Sequence, residues 1–281
     1  MKRHPFFQFA WHAVNFLLLS SLVFLAFGIA WEYSTRRYLK GFADAVVPLS
    51  AGPEQRVEAI LAWMKHGPAR RSTVGTDSLA QRDPQDTLNY GELLRVCGTA
   101  TNAFVNLTSS SGLQARRLLL LGPDQRTKHV VAEVLLEDRW VVVDPAYRMM
   151  FRDGQAQLLT RQQLTDPRLF REATQKVEGY PPECTFERTA HVRVARVPVI
   201  GKLLRRILDT VLPGWEEAVN WTLVVERESF AATLLAALLV CFSVASRFVL
   251  SWYGERRLGI SRVRLREQLV RAGASLFNSP R

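Results

Sequence analysis

Cysteine is scarce in this sequence: 281 residues contain only Cys97, Cys184 and Cys241. Three cysteines do not make a disulfide framework, and no paired cysteines or paired histidines stand at metal-ligand spacing. Internal repeats and low-complexity segments are also missing, which argues against solenoid or fibrous architecture. Two stretches lack charge. No acidic or basic side chain occurs from Ala13 to Trp31, nor from Ser229 to Ser246. Each is close to the length that a hydrocarbon core demands, so both read as transmembrane helices.

Trp31 and Tyr33 at the end of the first stretch, and Trp252 and Tyr253 at the end of the second, fit interfacial aromatic belts. Lys2, Arg3 and the small residues around Gly28-Ile29-Ala30 leave a cleaved signal peptide as the alternative for the first. Net charge is +11, unevenly placed. Beyond residue 254, seven arginines face two glutamates, whereas residues 32–228 carry 27 basic and 24 acidic side chains. By the positive-inside tendency the tail is cytoplasmic, and two spans return the N-terminus to the same side. Arg36, Arg37 and Lys40 oppose this orientation but are outweighed by the tail. The expected map is a cytoplasmic N-terminus (1–12), a span (13–31) and an extracytoplasmic domain (32–196). A juxtamembrane segment (197–228), a second span (229–253) and a basic cytoplasmic tail (254–281) follow. The domain's near-balanced charge gives no support for nucleic-acid binding, and topology alone accounts for the basic tail.

Along the domain, Val57, Ile60, Leu61 and Met64 recur at helical spacing between Pro53 and a Gly67-Pro68 stop. Residues 68–92 are polar and rich in turn formers, which predicts a long loop. Cys97 then opens a helical pattern with Ala100, Phe104, Val105 and Leu107 on one face, ended by Ser109 to Gly112. Three β-rich runs follow, Ala115–Leu121, His129–Leu136 and Arg139–Val143, the last two joined by Glu137-Asp138 as a tight hairpin. Past Asp144 the pattern weakens. Thr160–Leu164 suggests a short helix, and Val192, Val194 and Val197 a strand. From Val199 to Leu212 a strongly amphipathic helix sets Leu203, Leu204, Ile207 and Val211 against Lys202, Arg205 and Arg206. It suits either the bilayer surface or the domain's own flank.

The chemistry concentrates between Val96 and Asp144. A thiol in the first turn of a helix feels the positive end of the macrodipole, which favours thiolate at Cys97. A neighbouring imidazole lowers the thiol pKa further and can pass its proton to a leaving group, and His129 opens a strand close by in sequence. A carboxylate on the far ring nitrogen fixes tautomer and orientation. Asp144, one hairpin later, is placed for that. Taken singly, each residue has an ordinary structural explanation, and their order and setting raise the odds of a joint role. For an oxyanion, the Cys97 N–H is one natural donor, and Gln85, Asn89 or Tyr90 could offer a second. An oxidising compartment would permit a Cys97–Cys184 disulfide.

This stretch resembles the transglutaminase-like superfamily. The resemblance lies in a cysteine followed by a helix, then Gly112-Leu113-Gln114-Ala115-Arg116, His129-Val130-Val131-Ala132-Glu133-Val134 and Arg139-Trp140-Val141-Val142-Val143-Asp144-Pro145. It spans roughly residues 53–165. It implies an α+β, papain-like core in which a helix carrying the cysteine packs on an antiparallel sheet, here flanked by two transmembrane helices. It also implies Cys97 as nucleophile, His129 as general base and acid, and Asp144 as the orienting partner. Val131 and Arg95 depart from the family pattern, which often has an aromatic residue and a glycine there. Arg116 and Trp140 suit structural roles, the indole in the core and the guanidinium over the surface.

The expected activity is that of a membrane-anchored cysteine enzyme cleaving or transferring an acyl or amide bond through a Cys97 thioester, a peptidase or amidase by preference. No cofactor and no metal is expected. The partners would be an extracytoplasmic protein or peptide substrate and the lipid bilayer, without nucleic acid, and oligomeric state stays open. The alternative is a non-catalytic domain of the same fold within a membrane assembly. In a Gram-negative cell the compartment would be the periplasm. Topology reporters check this: a periplasm-dependent phosphatase fused after residue 150 is expected to be active and a cytoplasm-dependent fluorescent protein at the C-terminus bright. The opposite pattern overturns the orientation.

Overall fold

The computed structural model describes residues 5–67, 84–89, 91, 93–194, 201–218 and 221–259. Tyr90, Val197, Val199, Ile200, most of the expected long loop and most of the basic tail lie outside them. The chain divides into two compact units, residues 1–29 with 232–281, and residues 30–231.

Helix α1 (Pro5–Val46) runs unbroken for 42 residues. At about 1.5 Å per residue it is about 60 Å long, about twice a hydrocarbon core. Its last turns belong to the second unit, where Leu39 and Ala43 are fully buried. Near the other end of the chain, α9 (Glu228–Arg257) has 30 residues. Both helices are long and apolar enough to cross a membrane, and only 11% of each apolar window is buried. Within the first unit they touch through small residues. A Cβ on Gly28 would lie 2.9 Å from Thr233 Oγ1, and one on Gly254 would lie 2.8 Å from the Phe7 ring. The Arg247 guanidinium lies 5.2 Å from the centre of the Trp11 ring, and Ser21 and Ser243 are buried.

The second unit is α+β. Pro53–His66 forms α2, with Val57, Ile60, Leu61 and Met64 buried as their spacing predicts. Part of the expected loop is ordered as a short helix, α3 (Pro84–Asn89), and a 3-10 turn at Leu93–Arg95. Helix α4 (Cys97–Ser110) follows at once. Its end is a Schellman cap. Gly112 has φ +91°, while Leu113 N–H reaches Thr108 O and Gly112 N–H reaches Ser109 O, both at 3.2 Å.

Strands β1 (Ala115–Leu121), β2 (Thr127–Leu136) and β3 (Arg139–Asp144) pair antiparallel. Glu137 and Asp138 form the two-residue turn between β2 and β3, both with positive φ, 48° and 62°. Such a turn matches the strands' right-handed twist but suits glycine or asparagine better than the acids found here. Strand β4 (Met149–Met150) pairs with β3. Helix α5 (Pro167–Thr174) and strand β5 (Thr189–Ala190) complete the sheet region, giving the order β4-β3-β2-β1-β5. The expected Thr160–Leu164 helix is one 3-10 turn at Gln163–Thr165. The valine strand is absent at Val192 and Val194, and the pairing falls on Thr189 and Ala190 instead. α6 (Gly201–Val211), α7 (Trp215–Ala218) and α8 (Thr222–Glu226) lead to α9.

Alternation along β2 divides the core. Ala132, Val134 and Leu136 pack with α4, α2 and the end of α1, around Phe104, Leu107, Ile60 and Leu39. Val131 faces the other way, toward Phe151, Phe170, Phe186 and Cys184.

A buried polar network fastens both chain ends of this unit to the back of α4. Arg227 donates from Nη1 to Glu32 Oε1 at 3.0 Å and from Nε to Asn106 Oδ1 at 3.1 Å, and Ser229 donates to Glu32 Oε2 at 2.7 Å. Asn102 Nδ2 donates to Glu226 O at 2.6 Å, and Glu226 also pairs with Arg117 of β1. Glu32 and Arg227 are both buried, so removing Arg227 leaves the Glu32 carboxylate to Ser229 and to the largely exposed Arg36, 2.6 Å away, and leaves Asn106 Oδ1 without its donor. Arg227→Met is therefore expected to cost on the order of 3 kcal/mol. Thermal melting of the detergent-solubilised chain checks this: adding Glu32→Gln to Arg227→Met should recover most of the lost Tm.

Candidate active site

The β2–β3 register pairs Ala132 with Val143, so Asp144 falls opposite Val131 and His129 stands diagonally across from it on the same face, within reach of a long side chain. His129 Nε2 and Asp144 Oδ2 are 2.7 Å apart. Cys97 opens α4, and its thiol lies close enough to His129 and to the backbone at Val130 and Gly98 for each to favour the thiolate. With Nε2 held by Asp144, the ring nitrogen left for the thiol is Nδ1. Thr101, one turn into α4, donates to Val130 O at 3.1 Å and fastens the start of the helix to the strand beside the histidine. All three residues singled out in the sequence thus meet in one place.

Asp144 has no exposed surface. Its oxygens are satisfied entirely by neighbours: Oδ1 accepts from Ala146 N–H at 3.0 Å and Tyr147 N–H at 3.2 Å, and Oδ2 accepts from the Tyr180 hydroxyl at 3.1 Å besides facing His129. Tyr147 and Tyr180 set their rings edge-on to the imidazole, with centres 5.9 and 6.2 Å from it. Tyr147 also donates to Gly179 O at 3.3 Å.

The electrostatics follow from this packing. The hydrogen bond from His129 holds the Cys97 thiol below its ordinary value against the opposing pull of burial. Burial disfavours the charged imidazole of His129, but the bonds to Asp144 and Cys97 outweigh it and raise its pKa to about 9. At neutral pH these shifts favour a thiolate beside an imidazolium. Burial and the Asp144 charge push the Tyr180 phenol far above its usual range, so it remains a hydrogen-bond donor. Cys184 contrasts with Cys97: buried among Phe151, Phe170 and Phe186, its thiol is raised to about 11, chiefly by burial. Both are free thiols, so the disulfide weighed from the sequence is not formed.

Three supporting residues were missed in the sequence. Tyr147 and Arg148 sit in the turn after β3, and Asp-Pro followed within three residues by Tyr-Arg was a local signal for an Asp-anchored turn. Arg148 has φ +55°. It donates to Ala146 O and, at 2.8 Å, to Leu94 O, so it ties the turn holding Asp144 to the segment just before Cys97. Tyr180 gave no local signal. Of the oxyanion candidates, the Cys97 N–H stands at the start of α4, outside the helical ladder. Asn89 Nδ2 is directed at the Tyr38 hydroxyl, 3.5 Å away. Tyr90 and the Gln85 side chain lie outside the described residues. Arg116 and Trp140 pair with each other, the guanidinium 4.0 Å from the centre of the indole ring, and Arg116 bonds Glu133 at 2.8 Å. The indole is therefore a half-covered platform beneath the guanidinium and not a core residue. Among the described residues no group of three or more His, Cys, Asp or Glu is arranged to hold a metal ion.

Alkylation of Cys97 by iodoacetamide reports the thiolate. Its rate should persist well below the ordinary thiol value of 9.0. His129→Ala removes the largest lowering cause and leaves burial, so the midpoint should move up to that value or above it. A midpoint unchanged by His129→Ala would disprove the pairing.

Residues 40–145 match the model of the transglutaminase-like superfamily, an interval that contains Cys97, His129 and Asp144. No curated protein and no solved structure matches the chain.

Proposed function

Taking residues 40–145 as a transglutaminase-like domain, we propose that this chain is a cysteine enzyme whose nucleophile is Cys97, acting on an acyl or amide bond of a protein or peptide. The observation that carries the reading is the buried bond between His129 and Asp144, with the Cys97 thiol on the other side of the same imidazole. Two helices capable of crossing a membrane and the charge asymmetry support a two-pass anchor with the domain outside the cytoplasm.

In the first step the Cys97 thiolate attacks the carbonyl carbon, a C–S bond forms, and the oxygen takes the negative charge. The N–H at the start of α4 is suited to that oxygen. As the intermediate collapses the C–N bond breaks, and the imidazolium of His129 gives its Nδ1 proton to the leaving amine. A thioester remains. Water or a second amine then attacks it, His129 takes the proton back, and the thiolate leaves. Asp144 holds the ring and its tautomer throughout, without itself taking the proton. The raised His129 pKa keeps this proton donor charged through neutral pH, so amide cleavage should fall as pH rises through about 9. Hydrolysis is the outcome favoured, since water is abundant.

The test is acylation of the full chain by an aryl ester such as p-nitrophenyl acetate. A stoichiometric burst of nitrophenol is expected, with an acetyl group on Cys97 that hydroxylamine removes. Cys97→Ala should abolish the burst, and His129→Ala should slow it by about 10²–10⁴-fold. Release of acetate in water, or of an acetamide when a primary amine is added, separates hydrolysis from transfer. An intact burst in Cys97→Ala, or none in the wild-type chain, would sink the reading.

A further inference from the structure

Helix α6 is tied to its own domain by the wrong face for a helix that belongs in a core. Asp209, on its polar side, accepts from Trp215 Nε1 at 2.9 Å. Trp215 is buried and stacks edge-on with Trp221 at 5.3 Å. Glu217 of α7 then bonds Arg161 of the domain at 2.7 Å. On the opposite side Leu203, Ile207 and Val211 are 59%, 48% and 74% exposed. A helix docking on its own domain turns its apolar stripe inward, whereas here the bond to the next element comes from Asp209 on the polar side, and the stripe stays outward with only Leu208, at its edge, half-buried.

The charges point to what covers it. At 100° per residue, about 3.6 residues per turn, Arg205 and Arg206 fall on opposite borders of the stripe, with Lys202 behind it. That arrangement lets long cationic side chains rise along an apolar surface to meet phosphates at its rim. The chain leaves α6 at Val211 and enters the apolar α9 at Glu228, so a bilayer crossed by α9 lies within a short tether of the stripe.

We propose that α6 lies in the headgroup boundary of the bilayer, with Leu203, Leu204, Ile207 and Val211 among the upper acyl chains and Arg205 and Arg206 on lipid phosphates. The proposal rests on α1 and α9 being spans. Its role is to fix the height and tilt of the domain relative to the membrane surface.

Single nitroxide labels test it in the full chain reconstituted in vesicles of phosphatidylcholine and phosphatidylglycerol. The background carries Cys97→Ala and Cys241→Ala and keeps the buried, unreactive Cys184, and unlabelled background serves as the blank. Labels enter at Leu203→Cys and Ile207→Cys on the stripe, at Lys202→Cys on the polar side, and at Phe242→Cys within α9 as the control for the span. Oxygen should reach the labels at 203 and 207 several-fold better, relative to a water-soluble nickel complex, than the label at 202, and Arg205→Gln with Arg206→Gln should shrink that contrast. Free nickel access at 203 and 207 with a lipid-embedded 242 overturns the proposal and leaves the spans intact. Protection of 203 and 207 from both reagents means that protein covers the stripe, and also overturns it. Nickel access at 242 overturns the spans themselves.

Discussion

A carboxyl group with no access to water has to be satisfied wholly by the protein, or its burial is prohibitive. Asp144 is that group here, and the domain around it can be understood as the set of conditions that meet this demand. The end of β3 places it, the turn after β3 gives it two backbone N–H groups, β2 brings His129, and Tyr180 arrives from a segment 36 residues further along. Each of these donors is also a constraint on chain path. The aromatic side of the sheet, with Phe151, Phe170 and Phe186 around Tyr180, keeps water from competing for the same oxygens. A polar centre and an apolar wall thus stabilise one another, since the wall strengthens the bonds and the bonds remove the penalty of building the wall there.

The two thiols show the same physics with opposite results. Cys97 and Cys184 are both partly or wholly removed from water, and burial raises the pKa of each. At Cys97 the imidazole and backbone groups overcome that effect, and at Cys184, among phenylalanines, nothing does. Reactivity is therefore a property of the neighbours, and cysteine content alone could not have ranked the two.

Much of this was legible in the sequence because it is local. The helical faces of α2 and α4, the alternation along β2, the hairpin at Glu137-Asp138 and the spacing from Cys97 to His129 to Asp144 are short-range patterns set by backbone periodicity. What escaped is non-local. Tyr180 lies in a stretch without periodicity, and its place is set by packing against β3 and α5. Strand β5 forms at Thr189 and Ala190 because β1 offers an edge there, whereas opposite Val192 the N–H and C=O of Arg117 are taken by Thr222 Oγ1 and the His191 ring. Helix α5 did carry a signal, Asp166 before Pro167, with the aspartate accepting the Arg168 N–H at 2.8 Å, but eight residues are too few for a convincing apolar period. Whether the stripe of α6 would face the domain could not be settled by periodicity at all, since the same pattern serves both destinations.

The ion pair between Glu32 and Arg227 joins positions near the two ends of the domain. During synthesis the acidic partner emerges early and the basic one only after the whole sheet, the site and α6 have been made. Until then α4 lacks the groups from Glu226 and Arg227 that Asn102 and Asn106 bind, and Glu32 of α1 has Arg36 but not Arg227. Contacts of such long sequence separation form late, because the intervening loop must close before they stabilise anything. A chain truncated before Arg227 would keep the bonds that gather Cys97, His129 and Asp144 but lose the network that fastens the back of α4 to the two ends of the domain.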